Sequence, residues 1–309
     1  MHKNILVIGG TRHVGKLLVQ RLVNAGHQVT IATRGRTPDP FGARINRIRV
    51  DRRDEAAMRR AFAGIDGYDV VYDQMCYSPL DAAIAVRIFS GRVKRYIMAS
   101  TVDVYRGLMG SQDEPFAEAD LNVLGQLIDT HYPWHDPARA VESYVAGKLQ
   151  AEAYLYRDGS LPLVTARIGH VLAGPEDFTG RLAHYVDLVR LRAPLRYSNA
   201  AAATSFIDAH AASGFLAWAG TQDFTGPVNA ACSGSMSAFD LLHRAGHALH
   251  ETVCAVPAAK PARPGELSPF DYPHPLMMDT SRAARLGYRF DHIDEWLDDV
   301  IRQHDLAFV

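Results

Sequence analysis

The apolar run Asn4–Ile8 breaks at Gly9-Gly10-Thr11-Arg12-His13-Val14-Gly15 and passes directly into an amphipathic stretch over residues 14–25. Strand, glycine turn and helix in that order leave few folds open. Glycine lets the backbone take a positive φ or come close to another segment. The helix that follows aims its first N–H groups and its positive dipole end back at the turn, which suits a phosphate. Alone, such a motif is weak and also reads as a tight turn without a ligand. As the first turn of a βαβ series it is much stronger.

The rest of the first half supplies that series. Apolar strand-like runs at 29–32, 45–50, 70–72, 96–98 and 163–167 alternate with helical patterns at 56–62, 81–89 and 142–156. That alternation predicts right-handed βαβ units and a parallel sheet. Beyond about residue 170 the pattern loosens. Helical stretches are expected near 180–192, 208–220 and 237–250, and a proline-rich segment from Pro257 to Pro275 precedes a last stretch over 281–303. The reading is α/β: a Rossmann, doubly wound parallel sheet over residues 1–169, with a small, mostly helical substrate domain over 170–309, partly interleaved with the first.

Composition narrows the function classes. The 33 Lys and Arg offset 34 Asp and Glu to a net −1, so the broad basic footprint of a dedicated nucleic-acid binder is not expected. No run approaches the ~18 apolar residues of a membrane span, and Met1-His2-Lys3-Asn4 does not read as a secretory leader. The three cysteines, Cys76, Cys232 and Cys254, are far apart and form no disulfide framework or metal pair, so a reducing cytoplasm is the expected location.

The glycine turn and its setting resemble the extended short-chain dehydrogenase/reductase family, which includes the NAD-dependent epimerase/dehydratase group. The family usually has glycine where this chain has Arg12, so the Gly-Gly-Thr-Arg-x-x-Gly turn is similar to an atypical branch. On that resemblance Gly9, Gly10, Thr11, Arg12, His13, Val14 and Gly15 hold the dinucleotide. A guanidinium at Arg12 can pair bidentately with a phosphate. At the end of strand two the fold places an acid for the ribose diol of NAD, or an arginine for the 2′-phosphate of NADP. Here Thr33 stands in the acid position and Arg34 follows, with Arg36 close by. NADP(H) is therefore the preferred cofactor, with NAD(H) as the other option. Arg34 and Arg36 also read as solvated loop charges. Asp51 matches the family aspartate near the adenine, and reads equally as a cap or turn residue.

Tyr144 and Lys148 stand four residues apart in Tyr-x-x-x-Lys-x-x-Ala-Glu, on one helical face. A phenol of pKa about 10 is a poor acid at neutral pH, and a nearby ammonium favours its phenolate. By resemblance, Tyr144 is the catalytic acid–base, Lys148 also holds the nicotinamide ribose, and Thr101 at the end of strand five binds the substrate oxygen. Ser100 reads better as a backbone-capping hydroxyl. The dehydratases of this family carry an Asp-Glu pair where this chain has Val102 and Asp103, so Asp103 reads as a lone proton shuttle or a turn residue. His170 replaces an asparagine that many nucleotide-sugar enzymes use, which weakens a nucleotide-sugar substrate. The long connection between Thr101 and Tyr144 is expected to form a lid with Tyr132 and Trp134 as apolar surface, or else a surface excursion or dimer contact.

Fourteen histidines is a high count. His243, His247 and His250 fall within about 60° on a helix, either as metal ligands or as a polar face; no acid or histidine motif completes a site, and no metal is expected. The favoured function is an NADP(H)-dependent oxidoreductase acting on a carbonyl or secondary alcohol of a small molecule. The alternatives are a sugar or nucleotide-sugar epimerase/dehydratase with recycled NAD(P), and a non-catalytic, cofactor-binding regulatory or RNA-associated protein. Neither nucleic acid nor membrane is the expected partner, and the resemblance points to helices 81–89 and 142–156 as a place where the family forms homodimers.

Overall fold

The structure, a computed structural model, describes residues 2–258 and 267–306. In chain order it contains β1 (Asn4–Ile8), α1 (His13–Asn24), β2 (Gln28–Thr33), β3 (Asn46–Arg49), α2 (Glu55–Phe62), β4 (Val70–Asp73), α3 (Pro79–Phe89), β5 (Tyr96–Thr101), α4 (Ala140–Asp158) and β6 (Leu163–Ile168). There follow β7 (His170–Leu172), α5 (Arg181–Arg190), β8 (Leu195–Tyr197), β9 (Thr204–Asp208), α6 (Ala209–Ala219), β10 (Gly226–Ala230), β11 (Ser235–Met236), α7 (Ala238–Leu249), β12 (Ala255–Pro257), α8 (Ser281–Arg285) and α9 (Leu297–Leu306). Among the described residues no helix is long and apolar enough to cross a membrane.

The chain divides into two compact units, each discontinuous. The first takes residues 1–104, 118–167 and 213–228; the second takes 105–117, 168–212 and 229–309. The central sheet has seven strands in the order β10-β6-β5-β4-β1-β2-β3. β1 pairs in parallel with β2 on one side and β4 on the other, with Ile8 opposite both Ala32 and Asp73. This register brings the carboxyl ends of β1, β2 and β4 level at the point where strand order reverses, the place where open α/β sheets bind ligands. The core beneath them joins Leu6, Ile8, Val71, Tyr96 and Met98 of the sheet to Ala82, Ala85 and Ile88 of α3 and to Ala151 and Leu155 of α4.

Local chemistry sets the helix ends. Asp54 caps α2 by accepting the Ala57 amide at 2.9 Å. Ser78 caps α3 with Pro79 in its first turn, so α3 starts two residues before the expected 81. Proline costs nothing there because the first amides of a helix have no intrahelical partner.

The second unit carries short strands beside the expected helices. It holds a three-stranded sheet, β11-β9-β7, and the pair β12-β8, while β10 joins the central sheet beside β6. These strands run from two to five residues, too short to display the alternation that marks a strand in sequence. Residues 259–266 of the proline-rich segment lie outside the described residues. α7 ends at Leu249, and His250 is its left-handed cap with φ 56°, so the three histidines do not share one helix face. Among the described residues no group of three or more His, Cys, Asp or Glu side chains gathers to hold a metal.

Candidate active site

A cleft of about 230 Å³ opens at the carboxyl ends of β1, β2 and β4. Gly9 and Thr11 line one side, Thr33, Arg34 and Arg36 another, and Asp51, Arg52, Arg53, Met75 and Tyr77 close it. Gly9 and Gly10 take φ of 102° and 90°, and a Cβ on Gly10 would meet Val19 at 2.9 Å, so the turn accepts no side chain there. α1 has no acid in its first turn, and its cap residue Arg12 makes no side-chain bond to the helix amides. The donor set therefore fits a diphosphate-bearing group.

Of the residues expected at the dinucleotide, Gly9, Thr11, Arg34 and Asp51 line this cleft. Arg12 is not among the residues lining it; its extended backbone heads α1, so the convergence of Arg12 with Arg34 and Arg36 on one phosphate is not seen. Gly10, His13, Val14 and Gly15 form the turn and the first helical turn behind the cleft. Thr33, in the acid position, spends its hydroxyl on a turn, accepting the Gly35 amide at 3.2 Å. Arg49 braces that loop by donating to the Arg34 carbonyl at 3.2 Å. Asp51 is both a cleft residue and a turn residue, accepting the Arg53 amide at 3.1 Å.

Beneath the cleft lies a buried charge cluster that the sequence did not disclose. Arg52 pairs with Asp73, and with Asp81 at 2.8 Å. Tyr96 donates to Asp73 at 2.6 Å, and Asp81 accepts the Tyr77 amide at 2.9 Å. Burial works against the Arg52 charge, but the two carboxylates outweigh it and hold the guanidinium well above its ordinary pKa. Burial likewise opposes the Asp81 carboxylate, yet His135, Arg52 and the Tyr77 amide keep its pKa well below the usual range.

Tyr144 and Lys148 lie one turn apart on α4. Lys148 is buried, and its Nζ donates to the Ala99 carbonyl at 2.6 Å. Burial lowers its pKa to about 8, partly offset by Cys76, Asp73 and Asp81. Tyr144 is more than a third exposed. Thr101 donates to Asp103 Oδ2 at 3.1 Å and accepts the Asp103 amide at 3.2 Å, so Asp103 forms a local turn with the threonine. To donate to a substrate oxygen, Thr101 must turn its proton away from Asp103.

Ser100 does not cap backbone as expected. Its hydroxyl donates to the Glu152 carboxylate, which Arg167 also grips, with Nη2 at 2.7 Å. Both charged side chains have no exposure. This network ties β5, α4 and β6 together, next to Thr101 and Lys148 in the chain. The residues Ala-Glu after the Tyr-x-x-x-Lys pattern and the Arg167 that closes the next strand were the signal for it.

The long connection does not present Trp134 as a lid surface. Trp134 is buried, and its indole N–H donates to the Asp129 carbonyl at 2.6 Å. It packs where a Cβ on Gly147 would meet its ring at 3.4 Å. The same glycine faces the Tyr77 carbonyl, only 2.1 Å from that Cβ position. Ala usually stabilises a helix interior by about 0.5–1 kcal/mol over Gly. At Gly147 the sign reverses: Gly147→Ala is expected to cost about 1–3 kcal/mol by overpacking, read as a lower urea midpoint. A stabilised variant would show that Tyr77 does not press on α4.

A parallel, doubly wound sheet with a Tyr-x-x-x-Lys helix is the arrangement of the extended short-chain dehydrogenase/reductase type. The chain belongs to the NAD dependent epimerase/dehydratase family, whose pattern matches residues 5–194. It is 32% identical over 118 residues to the chloroplast stem-loop binding protein of 41 kDa b of Arabidopsis thaliana, covering 33% of this chain and 30% of that protein. It is 27% identical over 182 residues to the 2′-dehydrokanamycin reductase of Streptomyces kanamyceticus, covering 58% of this chain and 46% of the reductase. The chain thus spans less than half the length of either relative. The UDP-glucose 4-epimerase of Thermus thermophilus, solved with NAD, superposes with a TM-score of 0.67 at 18% identity over 98% of each chain, a likeness of fold.

Proposed function

We propose that the protein is an NADP(H)-dependent oxidoreductase that reduces a carbonyl of a small molecule, or oxidises the corresponding secondary alcohol. The observation that carries this reading is the cleft at the end of β2, where Thr33 replaces an acid and Arg34, Arg36 and Arg53 stand together. Guanidinium groups bind a phosphate monoester by charge-assisted hydrogen bonds, and a ribose diol would call for the missing acid. The relationship to a dehydrokanamycin reductase supports a net reduction of a carbonyl.

The bound dinucleotide supplies the hydride. The chain's own residues manage the proton. Tyr144 donates it to the oxygen of the reacting carbonyl, Thr101 orients that oxygen, and the Lys148 ammonium favours the phenolate left behind.

Arg34→Asn combined with Arg36→Asn is expected to weaken NADPH binding about ten- to a hundredfold and to leave NADH binding in place, read by nucleotide fluorescence titration. Equal losses for both nucleotides would remove the argument for NADP. Oxidation of NADPH by a panel of carbonyl compounds supports the reductase; a tightly held cofactor without net turnover supports an epimerase.

One observation favours a second reading, in which the protein also associates with RNA. A relative is named as a stem-loop binding protein, and Arg34, Arg36, Arg44, Arg47, Arg49 and Arg53 are exposed around β3, the edge strand of the sheet. The overall charge conceals this local run. Fluorescence anisotropy of a labelled stem-loop at low salt tests it, and absence of binding there removes it.

A further inference from the structure

Tyr77 lies in the turn between β4 and α3, in a stretch without a motif. Two contacts fix its backbone. Its amide donates to the buried Asp81 at 2.9 Å, and its carbonyl presses on α4 at Gly147, between Tyr144 and Lys148. Fixed in this way, the ring faces the lysine: Lys148 Nζ stands 4.2 Å from its centroid. On another side the Tyr144 ring lies 5.9 Å away at 42°. Tyr77 also lines the cleft at the ends of β1, β2 and β4. An ammonium buried in this way meets the Ala99 carbonyl and the electron-rich face of an aromatic ring.

We propose that Tyr77 is a positioning residue for the reaction assigned above: its ring holds the Lys148 ammonium charged and in place beside Tyr144. The proposal rests on that assignment of Tyr144 and Lys148, but not on the identity of the substrate.

The groups that set the lysine's charge are Asp73 at the end of β4, Cys76 in the turn, Asp81 on α3 and Arg52 after β3, together with the two tyrosines. Asp73, Cys76 and Asp81 favour the ammonium and Arg52 opposes it. The ring face adds to the favourable side without adding charge. Removing its quadrupole leaves the ammonium less favoured, so Lys148 loses its proton at lower pH. Tyr144 then ionises at higher pH, because the cation that favours its phenolate has gone.

The experiment uses two ring variants that keep the shape of the side chain, Tyr77→Phe and Tyr77→pentafluorophenylalanine, so that folding is preserved. Tyr144 ionisation is read by phenolate absorbance as the difference from Tyr144→Phe made in each background, with neither substrate nor turnover needed. The fluorinated ring is expected to raise the Tyr144 ionisation by about 0.5–1 pH unit, and the Phe variant to restore it. Where NADPH turnover is measurable, the alkaline limb of kcat moves down by a similar amount in the fluorinated variant. If the fluorinated ring leaves Tyr144 ionisation unmoved, or if it weakens NADPH binding alone, Tyr77 is a wall of the cleft and the proposal fails. If Tyr144 ionisation shifts as expected but no carbonyl is reduced, the pairing stands and the reductase reading falls.

Discussion

Tyr144→Phe is expected to lower kcat by about 10²–10⁴-fold while dinucleotide binding holds. That range is the usual contribution of a positioned general acid. The variant removes one hydroxyl and keeps the ring that packs 5.9 Å from Tyr77, so the helix and the cleft stay as they are. The cleft is lined by residues of other elements and does not include Tyr144, which separates binding from chemistry. The pH dependence gives an independent check. Lys148 has a folded pKa of about 8, below its unperturbed value of about 10.4. Its ammonium is therefore complete below pH 8 and is lost as pH rises through 8. A reaction that relies on that charge declines on the alkaline side near pH 8, instead of about two units higher. The measurement is the absorbance of reduced nicotinamide followed with a carbonyl panel across pH. A Phe variant that turns over at the parent rate would remove Tyr144 from the mechanism.

The parts of this site that could be read in sequence are the ones made by local spacing. The glycine turn from Gly9 to Gly15 joins a strand directly to a helix, and Tyr144 and Lys148 meet because a helix turns every ~3.6 residues. Thr101 was placed only by resemblance, since nothing in a lone threonine marks it. What was not legible is what the sheet brings together from afar. Arg52, Asp73 and Asp81 come from three separate elements, and each alone reads as an ordinary loop or helix charge. The parallel register levels the ends of β4, β1, β2 and β3, and the chain beyond β3 carries Arg52 back to Asp73 and Asp81. Tyr77 was missed for the same reason. Trp134 was misread because an aromatic in a long loop says nothing about whether a glycine opposite leaves room for it. The short strands after residue 168 escaped because their partners, such as β9 for β7, lie far along the chain in a stretch without periodicity.

Glu152→Ala is expected to cost about 3–5 kcal/mol of stability, enough to remove much of the margin of an ordinary domain. Arg167 approaches Glu152 through Nε at 3.1 Å and Nη2 at 2.7 Å, with no exposure of either side chain. An arginine cannot shed its proton to escape burial, so truncating the carboxylate leaves a full charge in the core. Arg167 keeps its bond to the Glu118 carbonyl at 3.2 Å, but a neutral acceptor does not replace an ion pair. Ser100 loses its acceptor in the same step. Replacing both charged partners by apolar residues of similar volume, Glu152→Met with Arg167→Leu, is expected to recover most of the loss, because a buried pair gains little over a packed apolar one. Urea unfolding of the single and double variants measures both. The consequence for function follows from position. Glu152 lies one turn beyond Lys148 on α4, and Ser100 precedes Thr101 on β5, so the Ser100–Glu152 bond, held by Arg167, ties the helix that carries Tyr144 to the strand that carries Thr101. Activity of the double variant, measured where it is fully folded, separates the two roles: a stable protein with lowered kcat shows that this tie aligns Thr101 with Tyr144, and a stable protein with the parent kcat shows that it serves the fold alone.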